Sequence, residues 1–175
     1  MKKLIVLVVV LIVVSLTYDI KHQDKIIIPK DAIRLRILAN SDEEHDQKIK
    51  LVVKNEVQKE LFSLIKDVKE INEARKKINN NLDYLKMVVN SKLEEENFYG
   101  GCNITYGKHY FPKKEFMGVS YNEGYYESVL VKIGKGEGKN WWCVLFPPLC
   151  LIEINENTND VEYKFMVKEL LKIFF

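Results

Sequence analysis

Unbalanced charge is nearly absent from this chain. Its 175 residues carry 27 Lys and Arg against 25 Asp and Glu. Two of the basic side chains, Lys2 and Lys3, sit in the N-terminal segment, so the body is close to neutral. That argues against nucleic acid as a partner, because holding phosphates needs clustered, uncompensated Lys and Arg. Cysteine is scarce too: Cys102, Cys143 and Cys150 are the full set. None forms a Cys-x-x-Cys pair, and His22, His45 and His109 stand at no ligand spacing from them, so no metal or other cofactor is expected. There is no Asp-Thr-Gly or Asp-Ser-Gly, as an aspartic protease would need. The glycine-rich stretch 134–140 has no Gly-Lys-Ser or Gly-Lys-Thr and no helix pattern after it, so a tight turn explains it better than a phosphate cradle. Repeats and low-complexity tracts are missing, and the composition is that of an ordinary globular protein.

What is present begins with an export signal. Lys2 and Lys3 precede an unbroken apolar run, Leu4 to Val14, followed by Ser15 and the polar Tyr18-Asp19. This is the layout of a secretory segment. The run is short for a membrane span, which usually takes about 20 apolar residues. Residues 1–17 therefore read as a signal peptide or an uncleaved N-terminal anchor. In either case Lys2 and Lys3 stay inside and the remainder is expected outside the cytoplasm, with membrane contact through the N-terminal segment. Residues 18–30 read as a linker, and 31–175 as a single domain.

Within that domain Ile33, Leu35 and Ile37 alternate with Arg34 and Arg36, the pattern of a half-buried strand. Asn40-Ser41-Asp42 breaks it. Ser41 followed by Glu44 fits a capping box opening a helix over about 42–66, and Asp42, Glu43 and Glu44 suit its positive end. Asn40 and Asp42 are expected to organise the strand-to-helix turn. Apolar residues at helical spacing, Ile49 to Ile65 and then Ile71 to Leu93, predict that helix and a second one over roughly 68–95. Beyond Gly100-Gly101 the texture turns to strands: 102–106, 125–133 and 141–146, the last two joined by the glycine-rich stretch as a hairpin. Phe165, Leu170, Leu171 and Phe174 suggest a short C-terminal helix. The expected fold class is α+β: an N-terminal strand, two long helices, a small antiparallel sheet and the terminal helix.

Catalytic constellations are weak. Asp42, Glu43, Glu44 and Asp46 could pair as carboxylates, but they sit where a helix N-terminus wants negative charge. Ser41 has only His45 as a conceivable base, one helical turn away. The unusual stretch is Asn140-Trp141-Trp142-Cys143-Val144-Leu145-Phe146-Pro147-Pro148-Leu149-Cys150. A buried strand accounts for much of it, with Trp141 and Cys143 facing one way and Trp142 and Val144 the other. The prolines end that strand or put it at an edge. In an exported chain Cys143 and Cys150 can pair, leaving Cys102 free or intermolecular. The bridge would close a small loop, contributing roughly 2–3 kcal/mol by chain entropy. A rigid exposed loop carrying Phe146, Pro147, Pro148 and Leu149, beside Trp141 and Trp142, is the expected partner-binding surface.

The run Gly134-x-Gly136-x-Gly138-x-Asn-Trp-Trp-Cys-Val-Leu-Phe-Pro-Pro-Leu-Cys150 resembles the signature of the stage II sporulation protein R family. So do Ile33-Arg-Leu-Arg-Ile-Leu-Ala-Asn-Ser-Asp42 with Asp46-Gln47 and Lys50, and Phe111-Pro112-x-Lys114 with Tyr126-Glu127. The resemblance covers about residues 31–152. Where the family tends to have Pro-Ala-Gly, this chain has Asn122-Glu123-Gly124, so that turn is expected to differ. Cys102 falls outside the family pattern, which supports pairing Cys143 with Cys150. The resemblance implies a non-enzymatic signal of endospore formation. Such a protein is made in the forespore and exported to the space between forespore and mother cell. There it activates a membrane-embedded aspartic protease that processes pro-sigma factor E, and no small-molecule substrate is implied. The rival expectation is an exported cell-envelope hydrolase using Ser41, Asp42 and Glu44.

Overall fold

Ile33, Leu35 and Ile37 are wholly buried, and the strand that carries them organises the molecule. A computed structural model describes residues 26–151 and 158–174. The expected signal segment 1–17 and linker residues 18–25 lie outside the described residues. The strands are β1 (Ile26–Ile27), β2 (Ile33–Leu38), β3 (Cys102–Phe111), β4 (Lys114–Phe116), β5 (Val119–Tyr121), β6 (Gly124–Ile133) and β7 (Asn140–Phe146). The helices are α1 (Glu44–Ile65), α2 (Ile71–Asn80), α3 (Leu82–Glu95) and α4 (Asp160–Phe174), with a 3-10 turn at Leu149–Leu151. The class is α+β. Among the described residues no helix is long and apolar enough to cross a membrane.

The main sheet runs β3-β6-β2-β7. Strand β2 is parallel to β6, with Arg34 opposite Ser128 and Leu38 opposite Lys132. It is antiparallel to β7, with Leu35 opposite Cys143 and Ile37 opposite Trp141. The expected hairpin between 125–133 and 141–146 is thus not one. Strand β2 lies between β6 and β7, and the glycine-rich stretch crosses its end. The reason is burial: β2 is apolar on one face and closed over on the other, so an inner position suits it better than an edge. The sheet is mixed, not purely antiparallel, and a second one, β1-β5-β4, stands beside it. Ile26 and Ile27, expected in the linker, pair in parallel with Val119 and Ser120, and Ile28 is buried with them.

The helices cover one face of the main sheet. Val53, Val57 and Leu61 of α1, Ala74 and Ile78 of α2, and Leu85, Val89 and Leu93 of α3 join β2 and β6 in one core. The second expected helix is two helices. Asn81 separates them with φ −116° and ψ 12°, and its Nδ2 donates to the Lys77 carbonyl at 2.7 Å. An asparagine that bonds back onto its own helix competes with the backbone ladder, which is the physical reason for the break. In α4 the buried residues are Tyr163 and Val167. Phe165, one of the residues that suggested this helix, is 64% exposed.

The face assignment of α1 can be checked on one helix. Leu61→Ala, at a wholly buried position, should cost about 2–5 kcal/mol in urea unfolding. Leu51→Ala, at a half-exposed position, should cost no more than about 0.5 kcal/mol.

Candidate functional site

Two features gather the residues singled out by sequence: a polar clasp where β2 turns into α1, and a groove on the other side of β7. In the clasp, Asp46 is the centre. Its Oδ2 accepts from Asn40 Nδ2 at 2.7 Å and from Ser41 Oγ at 2.6 Å. The Ser41 hydroxyl is the larger influence, and with Asn40 and His45 it holds the Asp46 carboxyl below the usual range against the opposing effect of burial. Gln47 Nε2 donates to the Ser41 carbonyl at 2.8 Å. Lys50, buried, donates to Gln47 Oε1 at 2.6 Å and to the Lys139 carbonyl at 3.2 Å.

The glycine-rich stretch is the other jaw. Lys135 N–H donates to Asn40 Oδ1 at 3.0 Å, and Lys139 N–H to Asp42 Oδ1 at 2.6 Å. Gly138 N–H donates to the Ala39 carbonyl at 3.0 Å. A Cβ on Gly138 would run into the Ser41 backbone, and one on Gly134 (φ +53°) into the Asn40 amide. Close approach to the turn, more than reversal of a hairpin, is what requires glycine here.

Asn40 and Asp42 hold the strand-to-helix turn. The capping box does not form. The helix begins at Glu44, its N-cap position is Glu43, and no side chain caps it. Ser41 lies two residues too early: it accepts from Glu43 N–H at 3.1 Å and commits its proton to Asp46. Glu44 points to solvent, 84% exposed, and pairs with Lys48 at 2.7 Å. The carboxylates needed for hydrolysis therefore do not converge. In a Ser–His–Asp relay the imidazole stands between hydroxyl and carboxylate. Here the carboxylate of Asp46 stands between, with His45 Nδ1 3.7 Å away on its far side.

The groove lies along β7. Trp141, Trp142, Val144 and the Cys143–Cys150 disulfide form one wall. Lys54 and Gln58 come from α1, Lys114 and Phe116 from β4, Tyr121 from β5, and the enclosed volume is about 450 Å³. Gln58 Nε2 donates to the Cys150 carbonyl at 3.0 Å, tying α1 to the bridge. Trp141 and Cys143 pack toward the helical core, while Trp142 meets Phe111 edge-on at 5.5 Å on the opposite face. Lys54 Nζ lies 5.6 Å from the Trp141 ring and Lys114 Nζ 5.4 Å from that of Trp142. Both distances suit cation–π attraction.

Phe146, Pro147 and Leu149 do not form the exposed loop expected of them. Phe146 is 1% exposed, Leu149 5%, Pro147 is buried, and only Pro148 is partly open. The cause is a bulge. Ile33 pairs with Phe146 but Arg34 pairs with Val144, leaving Leu145 over on β7. An extra residue turns the strand, so Phe146 enters the main core and stacks edge-on against Phe174 at 4.8 Å. Of the expected surface, Trp141, Trp142 and Pro148 stay accessible.

Sequence reasoning missed Arg34. Alternation put it on a solvated face, yet it is 2% exposed. Its guanidinium lies 3.4 Å from the centre of the Tyr126 ring and 5.1 Å from that of Phe111. Burial pushes its pKa down. Its Nε and Nη2, and Trp142 Nε1, are buried without a hydrogen-bond partner. No local signal marks it, because Phe111, Tyr121 and Tyr126, whose rings surround it, are too distant in sequence to be seen together with it. Cys102 is free and partly buried, and burial pushes its thiol pKa up to about 11. Among the described residues no group of His, Cys, Asp and Glu is placed to hold a metal ion.

A family model described as stage II sporulation protein R matches residues 29–156. Stage II sporulation protein R of Bacillus subtilis (strain 168) is 41% identical over 130 residues, covering 74% of this chain and 58% of that protein. The match thus spans little more than half the length of that curated relative. No solved structure matches the chain.

The clasp has a pH signature. The carboxylate of Asp46 is held below its ordinary range, so it stabilises the fold above about pH 4, the unfolded value, and loses that contribution as pH falls through the lower folded value. Asp46→Asn should lower stability at pH 7 and flatten the fall in stability between about pH 4 and pH 2, read by urea unfolding across that range.

Proposed function

The chain belongs to the stage II sporulation protein R family, a family of sporulation regulatory proteins, and on that premise we propose that it is an extracytoplasmic switch for a protease. It acts in the space between forespore and mother cell, reached through its N-terminal segment and possessing no catalytic role of its own. There it activates the membrane-embedded aspartic protease that removes the pro-sequence of sigma factor E. The observation that carries this reading is the family match itself, whose span from 29 to 156 includes the clasp, the strand β2 and the whole Trp141–Cys150 wall.

The geometry supports a binding role over a chemical one. The hydroxyl and carboxylates of the turn serve structure, each bound to a backbone amide, a neighbouring side chain or solvent. The groove wall, in contrast, leaves two tryptophans partly open next to a disulfide. Partly exposed aromatics held on a rigid strand bind with little loss of side-chain freedom. To activate, such a surface must bind the active form of the protease better than the inactive one. A difference of about 2–3 kcal/mol moves the ratio of the two forms by one to two orders of magnitude.

Co-expression of the protease and pro-sigma factor E with this chain tests the reading. Wild type should yield processed sigma factor. Trp142→Ala, exported and folded, should cut processing about tenfold or more, a loss of roughly 1.4 kcal/mol or greater in coupling. Unchanged processing by folded Trp142→Ala and Trp141→Ala proteins would remove the groove from the contact.

A further inference from the structure

The groove is cationic and rich in donors. Among the described residues lining it, Arg34, Lys54 and Lys114 are positive and none is acidic. That asymmetry stands out in a body whose charges otherwise balance. Arg34 lies at the floor with Nε and Nη2 unsatisfied, and Trp142 Nε1 in the wall is unsatisfied as well. Lys54 and Lys114 stand over Trp141 and Trp142.

A buried guanidinium normally meets a carboxylate, because removing the charge from water is costly unless an anion or several acceptors replace the solvent. Among the described residues, aromatic faces are what it meets. Tyr126 lies beneath it, with Phe111 and Tyr121 farther off at 5.1 and 5.9 Å. Ring faces satisfy part of the charge but accept no strong N–H hydrogen bond. The planar fork of Arg is suited to carboxylate oxygens. The flanking rings of Trp142 and Phe116 offer apolar contact on both sides of such a group.

We propose that this groove receives an acidic side chain of a partner peptide, an Asp or Glu flanked by apolar or aromatic residues, with its carboxylate directed to Arg34 and its neighbours against Trp142 and Phe116. Lys54 and Lys114 at the rim attract the segment and Arg34 fixes it. This deepens the protease-activation reading and rests on it for the identity of the partner, although not for the chemistry of the site. Three cations with no carboxylate among the described lining residues also select against a basic segment, which would leave like charges facing each other.

The two tryptophans of the chain are both in this wall, so intrinsic fluorescence reports on the groove directly. The purified chain is titrated with acetyl-Phe-Glu-Leu-Asp-Phe-amide and with acetyl-Phe-Gln-Leu-Asn-Phe-amide. The acidic peptide should change the emission saturably and bind at least about tenfold tighter than its amide counterpart. The preference should shrink with added salt. Arg34→Gln should abolish it. The double variant Lys54→Ala with Lys114→Ala should weaken acidic binding about fivefold or more, and it keeps the test open if Arg34→Gln does not fold, since neither lysine is buried. Equal binding of the two peptides, no response to either up to about 1 mM, or acidic binding undiminished in the lysine variant would overturn the assignment. Because no protease is present, failure here leaves the activation reading standing, and failure of co-expressed processing leaves the peptide site standing.

Discussion

Arg34 cannot leave the place where strand β2 puts it. Its neighbours Ile33 and Leu35 are wholly buried on the helical face, and strand geometry then sends residue 34 to the opposite side. There Phe111, Tyr121 and Tyr126 close over it. A one-residue slip would place the guanidinium in the apolar core, so the register of β2 against β6 and β7 is fixed by charge as well as by hydrophobic pattern. The groove follows from that constraint. Trp142 lies across from Arg36 in the register, and Val144 across from Arg34, so the cationic strand and the aromatic wall are products of one pairing.

The clasp keeps that pairing in place. Asn40, Ser41 and Asp42 leave the end of β2, while Lys135 to Lys139 lead into β7. Asp46, Gln47 and Lys50 tie both to the first turns of α1. Polar groups that might have been taken for chemistry thus fasten a helix, a strand and a loop together. At the other end of β7 the disulfide and the bulge do related work: one closes the segment after the strand, and the other turns Phe146 into the core. The three separated stretches that carry the family resemblance meet here, since Arg34, Phe111, Tyr126 and Trp142 pack around one another.

Much of the fold was legible where periodicity is local. The alternation of Ile33, Leu35 and Ile37 and the helical spacing of Val53, Val57 and Leu61 gave a strand and a helix with the right faces. The break at Asn81 was missed although the signal was present, since the three consecutive asparagines Asn79 to Asn81 favour bonding to their own backbone. The apparent hairpin failed for another reason: only long-range pairing reveals that β2 inserts between β6 and β7. Phe146 and Leu149 looked exposed because the prolines beside them suggest a surface turn, and a bulge leaves no mark in the pattern. Ser41 was read as a cap because Glu44 stands three residues on, yet the helix starts two residues later and Asp46 takes the hydroxyl. Within the candidate site, Trp141 and Trp142 were found by composition, whereas Arg34 and Lys114 required the fold.

The central claim is that the groove beside Trp142 is the face that meets the protease. A photo-reactive amino acid placed at Lys114, on the exposed rim of that groove, measures this in sporulating cells. The account predicts a cross-linked adduct that contains the protease, and none from the same probe at Phe165, which is exposed on α4. An adduct with the protease from Phe165 and none from Lys114 would contradict it.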